Sequence, residues 1–87
     1  MNDALWFNLF NLSDFQAEDL VSRTLKFSLG SYGVKEILVT IGNNVNILYD
    51  GVFLSLNLND KNPFVFEDRA IFIDDNNDVW LGIKNED

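Results

Sequence analysis

Apolar and polar residues alternate along most of this chain. From Val34 the positions Ile37, Val39 and Ile41 share a face, in the next run Val45, Ile47 and Tyr49 do, and after it Val52, Leu54, Leu56 and Leu58. A period of two marks a strand with one side on a core. Leu25 to Leu29, Phe64 to Phe66, Ala70 to Ile73 and Val79 to Ile83 are shorter runs of the same kind. Turn residues separate them: Gly30-Ser31-Tyr32-Gly33, Gly42-Asn43-Asn44, Asn59-Asp60-Lys61-Asn62 with Pro63, and Asp74-Asp75-Asn76-Asn77. Asp50-Gly51, between ILY and VFL, predicts a two-residue type I′ hairpin. Connections this short enforce antiparallel pairing, because parallel neighbours need a crossover of about a dozen residues or more.

The N-terminal segment reads differently. Ser13-Asp14-Phe15-Gln16 has the spacing of a capping box, in which Ser13 and Gln16 satisfy free backbone N–H groups, and predicts a helix from Asp14 to about Ser22. Asp14, Glu18 and Asp19 then lie at the positive end of the helix dipole and Arg23 at its negative end, with Phe15, Leu20 and Val21 toward the core. Ala4 to Leu12 fits two periods. Leu5, Trp6, Leu9 and Phe10 suit a helix, and Leu5, Phe7 and Leu9 suit a strand; the helix is preferred here. The expected fold is α+β and mostly antiparallel β, one domain over 1–87. A helical part (1–23) packs on a curled meander of six to seven strands (24–84).

Several runs are apolar on both faces. Leu48 opposes Ile47 and Tyr49, Phe53 opposes Val52 and Leu54, and Trp80 opposes Val79 and Leu81. One helix cannot cover both sides of such a sheet, which predicts either curling around one face or an apolar surface left for a partner. Trp6, Phe7 and Phe10 are candidate anchors for a partner but are assigned mainly to the core, while Trp80 is divided about evenly between core and anchor.

Composition narrows the chemistry. There is no Cys and no His, so thiolate metal cages, disulfides and the commonest general base are excluded, and no cofactor is expected. With 47% hydrophobic residues, including eight Phe, two Trp and two Tyr, the chain can rest on apolar packing alone. The start, MNDALWFNLF, lacks a basic leader and no apolar run is long enough to span a bilayer; a cytoplasmic setting is expected.

Glu36, Glu67 and Asp68 are the carboxylates nearest to a catalytic reading, but no nucleophile, phosphate cradle or long loop accompanies them, and a non-enzyme is expected. Asp74, Asn76 and Asp78 match the first oxygen positions of a calcium loop. The match fails at Val79, where glycine is needed, and at Asn85, where a bidentate Glu is needed. A solvated hairpin turn is the preferred reading.

The charge balance points to partners. Fourteen acidic residues against six basic give a net charge of −8, and the last 21 residues hold seven of the acids against Arg69 and Lys84. Such a chain repels nucleic acid and anionic membranes and attracts basic protein surfaces. Glu67, Asp68, Asp74, Asp75 and Asp78, with Trp80 as anchor, are the candidate partner-binding residues. They are expected at opposite ends of the Ala70 to Ile73 strand, roughly 13 Å apart. The function this suggests is an inhibitor or nucleic-acid-mimicking decoy, of the phage, mobile-element or immunity-protein kind. It would occlude a basic nucleic-acid-binding surface on a larger protein such as a nuclease. The alternative is a structural or assembly subunit, possible as a homodimer, that self-associates through an apolar sheet face or edge.

Overall fold

In the computed structural model, which describes residues 3–15, 21–60 and 62–85, the chain is almost entirely β. The strands are Ala4–Asn11 (β1), Val21–Ser28 (β2), Val34–Ile41 (β3), Asn44–Tyr49 (β4), Val52–Asn57 (β5), Phe64–Phe66 (β6), Arg69–Ile73 (β7) and Asp78–Lys84 (β8). They form two four-stranded antiparallel sheets, ordered β2-β3-β4-β5 and β1-β8-β7-β6. Apart from β1 with β8, every ladder joins consecutive strands, as the short turns require.

The alternating apolar positions meet between the sheets. Ile37, Val39, Val45, Ile47 and Leu54 of one sheet and Ile71, Val79 and Leu81 of the other are fully buried in one continuous core. Each such side chain contributes about 1.5–3 kcal/mol. Asp50 and Gly51 both have left-handed φ, 52° and 77°, as a type I′ turn demands, and Tyr49 pairs with Val52 across it.

The expected N-terminal helix is overturned. Among the described residues there is no α-helix, only 3₁₀ turns at Leu12–Phe15 and Gly30–Tyr32, and there are eight strands rather than six to seven. The expected single curled sheet is also replaced, by two separate sheets sharing a core. Ala4–Asn11 is a strand, held against β8 from Ala4↔Lys84 to Asn11↔Asp78, with a bulge between Asn8 and Phe10. A bulge inserts one residue and shifts the alternation by one. Phe7 and Phe10 therefore face the core side on either side of it, and the adjacent Leu9 and Phe10 are both buried. That phase shift mimics helical spacing.

Ser13 is not a helix cap. Its backbone N–H and its hydroxyl both donate to Asn11 Oδ1, at 2.9 and 2.6 Å, so Asn11 closes the turn. Val21 and Ser22, assigned above to the helix end, pair with Ile41 and Thr40. Gln16, Glu18, Asp19 and Leu20 lie outside the described residues. Among the described residues no helix is long and apolar enough to cross a membrane.

Candidate functional site

The outer face of the β1-β8-β7-β6 sheet collects three aromatics that the buried core does not include, Trp6, Phe72 and Trp80. On β8, Val79, Leu81 and Ile83 point inward, so Asp78, Trp80, Gly82 and Lys84 lie on the opposite face. On β7 the same alternation sets Ala70, Phe72 and Asp74 outward. Register then builds rows across the sheet: Trp6, Gly82, Ala70 and Val65 in one, Asn8, Trp80 and Phe72 in the next, Asn11 and Asp78 in a third. Trp6 meets Phe72 edge to face at 5.1 Å, and Phe72 stacks beside Trp80 at 6.3 Å and 8°. Trp6 remains 38% exposed and Val65 54% exposed. The rings form a contiguous aromatic platform with Trp6 lying over Gly82, and Gly82 and its row neighbour Ala70 are both buried.

The 74–78 turn bounds one end of this platform. Asp74 does not project as a free charge. Its Oδ1 accepts the N–H groups of Asn76 (2.9 Å) and Asp78 (3.0 Å), and its Oδ2 accepts Trp80 Nε1 at 3.0 Å. The Asn77 N–H closes the turn on the Asp74 carbonyl, with Asn77 itself left-handed. Asp78 Oδ1 accepts Asn11 Nδ2, which also bonds the Asn76 carbonyl. The Asp74 carboxylate is thus committed to the hairpin and Asp78 Oδ1 to Asn11 on β1, and no group of three or more His, Cys, Asp or Glu among the described residues is arranged to hold a metal ion. Asp75 is the exposed carboxylate of the turn.

The Trp80 indole, followed by the backbone N–H groups of Asp78 and Asn76, holds the Asp74 carboxyl below its ordinary pKa, against an opposing desolvation effect. The folded-state pKa is depressed, so the stabilisation is fully present above the unfolded value of about 3.9 and is lost as pH falls through the folded value. Acid titration from neutrality should leave the stability difference between wild type and Asp74→Asn constant above that window and shrink it below. Trp80 fluorescence should change over the same range in the wild type only. A difference that does not vary with pH would remove Asp74 from this role.

Glu67 and Asp68 lie at the other end of β7, in the β6–β7 turn. Six residues of extended chain separate Asp68 from Asp74, about 20 Å, so the acidic residues form two groups and not one row. Glu67 is exposed with a left-handed φ of 55°. Asp68 is half-buried beside Arg69, whose Nε is 4.0 Å from its Oδ1, and opens onto a polar cleft with Ser31, Tyr32 and Lys84. The structure therefore brings Asp74, Asp75, Asp78 and Trp80 together and places Glu67 and Asp68 apart.

Phe72 and Gly82 complete the platform and are not evident as site residues from their chemistry, whereas Trp6, an anchor candidate assigned above mainly to the core, lies on the outer face opposite Gly82 and is 38% exposed. The signal for Phe72 and Gly82 is alternation: Ala70-Phe72-Asp74 and Trp80-Gly82-Lys84 are the positions left over once the core face is assigned. Compared with known proteins, the chain matches no family model, no curated protein and no solved structure.

Proposed function

We propose that the chain is a non-catalytic protein-binding protein that covers a basic surface of a larger protein. A nucleic-acid-binding enzyme such as a nuclease is the partner class its charge suits best. The observation that carries this reading is the Trp6–Phe72–Trp80 platform bordered by Asp75 and Asp78, on a chain of net charge −8. Desolvated aromatic anchors supply most of the affinity at protein interfaces, and rim charges supply steering and choice of partner. Because the carboxylates fall into two groups, the platform and its acidic border replace an even imitation of phosphate spacing as the means of occlusion. A cytoplasmic setting goes with this reading, since the fold needs no disulfide.

The test uses purified chain immobilised in a lysate of its source cells, at about 0.05 and about 0.5 M salt, where the screening length falls from roughly 14 to 4 Å. A captured protein is then purified and its affinity measured against wild type, Asp75→Asn and Phe72→Ala. The expected outcome is binding weakened about tenfold, or about 1.4 kcal/mol, by Phe72→Ala. Asp75→Asn should lower the association rate and its salt dependence, and the partner should lose nucleic-acid binding when the chain is added. Equal binding by all three forms at both salt concentrations would refute the reading.

A further inference from the structure

Edge strands carry a row of unpaired N–H and C=O groups on which another chain can pair, and the fold blunts three of its four edges. β1 is interrupted by the bulge between Asn8 and Phe10, β6 is three residues long and follows Pro63 directly, and β5 lies against β6 and β7 of the other sheet. β2 has none of these protections. Its eight residues, Val21–Ser28, pair one for one with β3 without a bulge, and among the described residues no strand pairs with its other side.

One residue of β2 departs from the pattern of its strand. Directly opposite residues share a face, so Val21, Arg23, Leu25 and Phe27, paired with Ile41, Val39, Ile37 and Lys35, form the set turned toward the core. Val21 is buried, and Leu25 and Phe27 pack against the core. Arg23 is the charge among these four. It stays exposed, with its guanidinium carbon 5.5 Å from the centre of the Phe15 ring. If the β2 of a second copy adds antiparallel, so that the two cores run on as one layer, opposite residues again share a face. Arg23 then meets Val21, Arg23, Leu25 or Phe27 of that copy, whichever register is taken. Its guanidinium would be enclosed between two apolar cores, and burying a charge in that way is unfavourable.

We infer that Arg23 closes the β2 edge to strand addition by a second copy of this chain. With an apolar residue at 23, the inward positions of β2 would all be apolar and would alternate with Ser22 and Thr24, without Pro or Gly over eight residues. Segments of that composition pair readily with copies of themselves. Lys26 is the other charge of the strand, but it lies on the outward set, where pairing does not enclose it. The net charge of −8 slows encounter between copies over the whole surface and is screened by salt, whereas Arg23 acts at the edge itself. The aromatic platform belongs to the other sheet, so this inference stands or falls separately from the proposed function.

Sedimentation velocity over about 5 to 500 μM, at about 0.5 M salt to shorten the screening length to roughly 4 Å, provides the test. Arg23→Val should associate about tenfold or more tightly than wild type, and Arg23→Thr should do the same should the valine variant fail to fold. Arg23→Lys and Arg23→Glu should match wild type. Both keep a charge on the inward face, and the glutamate loses the contact with Phe15, which separates the charge from that contact. All variants compared should share the circular dichroism of wild type. A spin label on Thr24→Cys, the sole thiol in a chain without cysteine, should meet its counterpart at roughly 5–14 Å in Arg23→Val and not in wild type. Neutral variants that associate no more tightly than wild type, or an Arg23→Glu that associates as tightly as Arg23→Val, would overturn the inference.

Discussion

Arg69→Ala should destabilise the chain by about 2–4 kcal/mol, measured by denaturant unfolding. Arg69 belongs to β7, yet its guanidinium reaches the β4–β5 turn of the other sheet. Nη1 donates to the Tyr49 carbonyl at 2.7 Å, and the guanidinium carbon lies 4.2 Å from the centre of the Tyr49 ring. The Arg69 side chain is 13% exposed, so this charge-assisted bond and cation–π contact are shielded from water. A hydrogen bond to a charged group contributes about 1.5–3 kcal/mol, and a shielded cation–π contact up to about 2. The buried Nε, which has no hydrogen-bond partner among the described residues, offsets part of that gain.

The ion pairs of Arg69 are the lesser part. Asp50 Oδ2 is 3.8 Å from Nη2 and its side chain is 55% exposed, a geometry that contributes well under about 1 kcal/mol. Asp50→Asn should accordingly cost far less than Arg69→Ala, and it keeps a residue that tolerates the left-handed turn. Arg69→Lys should recover less than half of the loss, because a single ammonium cannot both donate to the carbonyl and lie flat on the ring. Burial pushes the Tyr49 hydroxyl pKa up, with the Arg69 charge opposing, so the ring stays neutral under the guanidinium at ordinary pH. If Asp50→Asn cost as much as Arg69→Ala, the ion pair and not the ring and carbonyl would be the link between the sheets.

The sequence pattern makes β3, β4, β5 and the final hairpin readable because each is a local statement. Alternation fixes which side is inward, and Asp50-Gly51 admits little but a tight reversal. What stayed hidden is non-local. Nothing in Ala4–Asn11 announces that its partner is β8 at the far end of the chain, and the bulge beside Asn8 disguises its period. Ser13 followed by Gln16 satisfies the spacing of a capping box, yet Asn11, two residues earlier, takes the Ser13 hydroxyl and N–H. Local hydrogen-bonding side chains compete with helix initiation in this way.

The site was legible in kind and not in detail. Charge counting found the 74–78 turn, and the doubly apolar strand found Trp80. It treated Asp74 as a projecting charge because composition says nothing of where carboxylate oxygens point, and Asp74 holds the Trp80 indole and two backbone N–H groups instead. Two apolar faces on one strand imply that something must cover the second. On the β1-β8-β7-β6 sheet the chain's own rings do so in part, and on the other sheet the Leu38–Leu48–Phe53 stripe is left bare.

That self-covering depends on a residue with no side chain. At Gly82 an added Cβ would lie 2.6 Å from Trp6 Cζ3 and 2.7 Å from Cη2, well inside contact distance. The clash is with a ring on an edge strand, so the ring will swing outward and the backbone will hold. In doing so it gives up its edge contact with Phe72 and its cover of Gly82. Gly82→Ala should therefore cost about 1–2 kcal/mol and Gly82→Val about 2–3, the range for overpacking combined with loss of an aromatic contact. Tryptophan emission should shift to the red as Trp6 becomes solvated. The decisive measurement is the same substitution in a Trp6→Ala background. With the ring gone, alanine at position 82 has room and a stiffer unfolded chain, so Gly82→Ala should turn neutral or stabilising by up to about 1 kcal/mol. An equal penalty in both backgrounds would mean that Gly82 is required by the backbone of β8, and that Trp6 does not lie over it as a fixed part of the platform.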